Sequence, residues 1–65
     1  MGKLNTDPNI GDADGVYQNL LEAHAGLSDT ESTALNARLI LVLINHIGDR
    51  AIIEDAIRAA RASGD

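Results

Sequence analysis

The chain contains no cysteine, no phenylalanine and no tryptophan, and a single tyrosine among its 65 residues. Without cysteine, neither a disulfide nor a thiolate-bound metal can staple the fold, and the redox compartment leaves no trace. Without the large aromatics, any core must be assembled from Leu, Ile, Val and Ala. A chain of this length buries only ~60% of the surface it exposes when unfolded, so a core of that kind is marginal alone. Association with another copy or another protein is the remaining source of stability.

Positive charge is also scarce. Five Lys and Arg face ten Asp and Glu, for a net charge of -5. The basic residues are scattered, whereas a nucleic-acid binder carries them as a stripe. The same deficit disfavours an anionic membrane surface. Long apolar runs are missing too. The longest, Leu39 to Ile44, is far short of the ~20 residues that span a bilayer. Lys3 precedes a polar, turn-rich stretch and not the apolar centre of a secretory signal, so a cytoplasmic location is the expectation.

What is present reads as helix. Residues 1–11 lack periodicity, and Asp7-Pro8-Asn9 with Gly11 supplies turn chemistry, so an extended N-terminal arm is expected, anchored by Leu4 and Ile10. A first helix is expected over about 13–25, capped by Asp12 and stopped by Gly26, with Val16, Tyr17, Leu20, Leu21 and Ala23 on one face. Ser28-Asp29-Thr30-Glu31 has the spacing of a capping box and opens a second helix, about 28–47, stopped by Gly48. A third, about 50–62, starts at Asp49 and pairs Arg50 with Glu54 and Glu54 with Arg58 on its polar face. Residues 63–65 are expected to fray. The result is an all-α fold, a three-helix mini-bundle with an extended N-terminal arm; the connections are short enough to make neighbours antiparallel or sharply angled.

The second helix is apolar around most of its girth. Leu35, Leu39, Val42 and Leu43 form one side, Ile40, Ile44 and Ile47 an adjacent one, and Leu41 points away from both. Such a helix is normally covered on several sides. Two companion helices are expected to cover most of it, with the remainder marking an interaction site unless the arm closes over it.

Chemistry-bearing candidates are few. His24 and His46 each fall within an apolar arc, and both lie near helix C-termini. In an antiparallel pair they stand roughly 24 Å apart at 1.5 Å per residue, so they do not share one metal. Each reads as a half-buried side chain bonded to a carbonyl or carboxylate, or else as a metal- or pH-responsive group acting across an interface. Asn36 intrudes at the edge of the same arc, either satisfied by the arm or water or acting as a register-setting amide. The paired acids Asp12/Asp14, Asp29/Glu31 and Glu54/Asp55 sit at helix starts or on a polar face, where capping and solvation account for them. Asp12-Ala13-Asp14-Gly15 lacks the distal ligands of a calcium loop. No nucleophile–base spacing and no phosphate loop is present. No cofactor and no enzymatic activity are expected.

Taken in order, Asn5-Thr6-Asp7-Pro8-Asn9-Ile10, Tyr17, His24-Ala25-Gly26-Leu27-Ser28, Leu35-Asn36-Ala37-Arg38-Leu39 and Asn45-His46-Ile47-Gly48-Asp49 resemble a family of very short bacterial proteins labelled as a domain of unknown function. The resemblance spans nearly the whole chain. It implies no catalytic residues. Some members are encoded beside flavin-dependent aromatic-ring hydroxylases, which implies a small accessory subunit of a catabolic oxidoreductase with no flavin site of its own. The residues expected to touch a partner, whether another protein or a copy of this chain, are Pro8, Ile10, Asn36, Leu41, Ile44 and His46. The alternatives are a self-associating structural protein and a histidine-based metal or pH regulator.

Overall fold

The structure is a computed structural model that describes residues 3–64. Three helices follow one another: α1 (Ala13–His24), α2 (Asp29–Ile47) and α3 (Arg50–Ser63). The fold is a small all-α bundle, with no strand among the described residues. Residues 3–10 form an arm without regular structure, bent where the Asp7 amide donates to Asn5 Oδ1 at 2.9 Å. Of the arm expected over 1–11, Met1 and Gly2 lie outside the described residues, as does Asp65 at the other end.

Each helix begins where a side chain can satisfy its orphan donors. Asp12 Oδ1 accepts from the Gly15 amide at 2.9 Å. Asp49 Oδ1 accepts from Ala51 and Ile52 at 3.0 and 3.3 Å. At α2 the box is complete: Ser28 Oγ accepts from the Glu31 amide at 3.1 Å, and the Ser28 amide donates to Glu31 Oε1 at 2.9 Å. The two connections turn on glycines in the left-handed region, Gly26 at φ 80° and Gly48 at φ 66°. A side chain at either position would meet its own carbonyl, at about 1–2 kcal/mol.

Two details differ from the sequence reading. Arg58 pairs with Asp55 and not with Glu54. Glu54 is taken by Arg50 at 3.0 Å, which leaves the acid one turn above Arg58 as its partner. Ser63, expected to fray, closes α3 instead, its hydroxyl donating to the Ala59 carbonyl at 3.0 Å.

The larger difference is in packing. Two neighbours were expected to cover most of α2. Among the described residues, however, none is buried. The half-buried apolar side chains are few, chiefly Leu35, Leu39 and Ile44 on α2 with Ile52, Ile53 and Ala56 on α3. The reason is dimensional. The helices splay, giving a radius of gyration of 13.5 Å, against about 11 Å for a compact domain of this length. The accessible surface is 5714 Å², against about 4,000 Å² for a compact monomer of 6.8 kDa. Roughly 1,700 Å² of surface that a globular protein would hide therefore faces outward.

The capping box carries a direct test. Ser28→Ala should lower helix stability by about 1 kcal/mol in a urea or thermal melt followed by circular dichroism. Thr30→Ala, in the same first turn but uninvolved in the cap, should change it by a few tenths at most.

Candidate functional site

Apolar surface, more than any cluster of reactive groups, is what this chain presents. At 3.6 residues per turn α2 shows three distinct sides. The first carries Leu35, Asn36 and Leu39, and Asn36 meets His24 of α1. The second, with Ile40, Leu43, Ile44 and Ile47, forms one wall of a groove whose other wall is Ile53, Ala56, Ile57 and Ala60 of α3. The groove holds ≈ 290 Å³ and is lined almost wholly by carbon. It forms because Gly48 turns the chain sharply and Asp49 starts α3 at once, which leaves two isoleucine-rich faces beside each other but open at the top. The third side carries Thr30, Thr33, Ala34, Ala37 and Leu41, and no helix lies over it. Leu41 is 64% exposed and Ile40 55%.

The polar element of the site is a link between α1 and α2. His24 Nδ1 lies 2.7 Å from the Leu20 carbonyl oxygen, and Nε2 lies 2.8 Å from Asn36 Oδ1. Both oxygens can only accept, so this arrangement is made for an imidazolium with N–H on both nitrogens. The pKa of His24 is accordingly raised above its ordinary 6.5, first by the Leu20 carbonyl and then by Asn36, against a smaller opposing effect of desolvation. Its place in the last turn of α1 favours the cation too. Glu31 is shifted the other way, below its ordinary 4.5, because the backbone amide and then the hydroxyl of Ser28 bind its carboxylate.

The residues singled out from sequence are dispersed. Pro8 and Ile10 are exposed on the arm, Ile10 at 60%, while the arm's other apolar residue, Leu4, is half-buried. Asn36 is engaged inside the chain by His24. Leu41 stands alone on the third side of α2, Ile44 lines the groove, and His46 is exposed in the last turn of α2. No group of three or more His, Asp or Glu close enough to hold a metal exists among the described residues, and no helix among them is long and apolar enough to cross a membrane. Sequence reasoning missed the groove's α3 wall and the His24–Asn36 bond. A signal for the bond was present, since two polar residues interrupted the apolar faces of consecutive helices, each in need of a partner.

With this geometry in view, comparison with known sequences is informative at one level. The family described as protein of unknown function (DUF2783) matches residues 4–62, and the chain belongs to it. No curated protein and no solved structure matches the chain.

The two shifted groups fix a pH window. A raised histidine binds its proton more tightly in the folded state. Its contribution is therefore complete below about pH 6.5 and is lost as pH rises through the raised value. A lowered carboxylate contributes fully above about pH 4.5 and is lost as pH falls through the lowered value. Melting temperature should peak between these limits and decline toward pH 8. The alkaline decline should shrink in His24→Gln, whose amide does not titrate. A wild-type curve flat from pH 5.5 to 8 would contradict the His24 assignment.

Proposed function

We propose that the chain is a non-catalytic protein-interaction module. The observation that carries this reading is the absence of any buried residue among those described, with 5714 Å² exposed by a 6.8 kDa chain. Small soluble proteins rarely leave contiguous apolar surface open unless something docks on it. The α2–α3 groove has the form that accepts an amphipathic helix, with hydrophobic anchors at helical spacing on both walls. Ile40, Ile44 and Ile57 would meet such a helix. Pro8 and Ile10 on the arm and His46 in the last turn of α2 are exposed and would add contacts outside the groove.

In its finer form the proposal makes the chain an accessory subunit of a bacterial catabolic oxidoreductase, of the flavin-dependent hydroxylase kind, acting in the cytoplasm. The larger protein would supply the cofactor and the chemistry. This chain would supply a docking surface and gain from the partner the burial it lacks alone.

The test is capture by immobilised chain from a bacterial lysate, with wild type beside Ile57→Glu. Ile57 is half-exposed in the groove wall, so the charge disturbs little within the chain but blocks an apolar helix. The expected result is a discrete protein partner held by wild type and reduced at least tenfold with the variant. Equal capture by both, or none by either at high protein concentration, would defeat the groove as a docking site.

A further inference from the structure

The third side of α2 has an occupant that the chain itself can provide. We propose that two copies pair through this side, α2 packed antiparallel against α2 of the second copy about a two-fold axis near Ala37. The inference rests on the interaction reading above but uses a different surface, and it names the partner.

Three observations carry it. The first is area. Each chain exposes roughly 1,700 Å² beyond what a compact monomer of its mass shows, so two copies have about 3,500 Å² to hide. A stable interface of standard size needs about 1,600 Å² in total. The chains as a whole therefore expose enough surplus surface for an interface of that size, and pairing on this side of α2 leaves the α2–α3 groove open for another protein.

The second is shape. The N-terminal half of this side is a shallow depression lined by Thr30, Thr33, Ala34 and Ala37, with Asp29 at its rim. The C-terminal half carries a knob, Leu41, 64% exposed. A two-fold interface must fit itself: if Leu41 meets Ala34 of the second copy, its Leu41 meets Ala34 of the first. Parallel pairing would set knob on knob and depression on depression. Antiparallel pairing sets each knob in a depression.

The third is register. Placing residue 41 opposite residue 34 of the second copy centres the crossing between residues 37 and 38. The helix runs from Asp29 to Ile47, so its own midpoint is Arg38. The register that seats the knobs is thus also the one that overlaps the two helices along their whole length. Arg38 and Glu31 fall about 80–100° away around the helix, and Asp29 stands at the rim of the depression, where it keeps its water, so the centre of the contact is uncharged and the net charge of -5 on each copy acts mainly at a distance.

The experiment is sedimentation equilibrium of the full chain from about 1 µM to 1 mM, with two variants. Wild type should sediment at twice 6.8 kDa, and its melting temperature should rise with concentration. Adding salt should tighten the dimer, because it screens like net charges. Leu41→Lys should raise the dissociation constant at least 100-fold. Ala37→Cys, in a chain with no other cysteine, should form an intermolecular disulfide on mild oxidation, since the two positions fall within the ~7 Å Cα separation that bond requires. Gln18→Cys on α1 should not. The cross-link reports even if Leu41→Lys fails to fold. A dimer indifferent to Leu41→Lys and not linked at position 37 would overturn this interface. A monomer throughout would overturn self-pairing while leaving the groove reading to its own test with Ile57→Glu. A monomer with Leu41 and Ile57 both protected from solvent labelling would overturn the two together.

Discussion

The apolar girth of α2 governs the structure. A helix offers room for about two close neighbours on a given half of its circumference, and this one is apolar on three sides. Leu35, Leu39 and Ile44 are half-buried, Ile44 in the groove beside α3. Ile40, Leu41, Val42 and Leu43 remain largely exposed. The flanking helices cannot close over all of them, because they have too little bulk. Helix α3 brings alanines at 51, 56, 59, 60 and 62, and no Phe or Trp is available to fill the intervening space. Burial is worth about 25 cal/mol per Å² of apolar area, so surface left open on this scale is a large unrealised driving force. That driving force is available to whatever the chain meets.

Against this weak apolar cohesion, local polar devices hold the elements in place. Each helix has a side-chain N-cap, and two turns are set by left-handed glycines. The His24–Asn36 bond is the one side-chain hydrogen bond that joins two helices among the described residues. It ties the last turn of α1 to the N-terminal half of α2, and with both nitrogens bonded the ring itself cannot turn.

The elements were legible in the sequence because local signals set them. Ser28 with Glu31 three residues on, Asp12 and Asp49 as caps, and Gly26 and Gly48 as stops all act within one turn of the backbone, and the helices begin and end within a residue or so of them. What depends on distance was not legible. The partner of Arg58 turned on which acid Arg50 had already engaged. The His24–Asn36 bond required knowing how α1 crosses α2. The openness of the bundle could not be read from periodicity, which records which residues avoid water but not whether enough volume exists to exclude it. The same holds for the site: Leu41 stood out as the residue pointing away from both apolar sides, whereas the α3 wall of the groove emerged only with the angle between α2 and α3.

Among the described residues the acids are concentrated at helix starts and on the outer face of α3, where they cap, pair with arginine or stand in water. None lines the groove, and on the Ala34–Leu41 side only Asp29 stands at the rim. In a chain with so much exposed apolar surface, indiscriminate aggregation is the principal hazard, and a net charge well away from zero is the usual defence. Here the repulsion is long-ranged and unspecific, while the uncharged surfaces are short-ranged and shaped. Approach in an arbitrary orientation meets the repulsion with little apolar contact to offset it. Approach that seats a leucine in a depression, or an apolar helix in the groove, meets the same repulsion with a large apolar gain. The acidic composition and the open apolar faces therefore act together to favour a few fitted contacts over many loose ones.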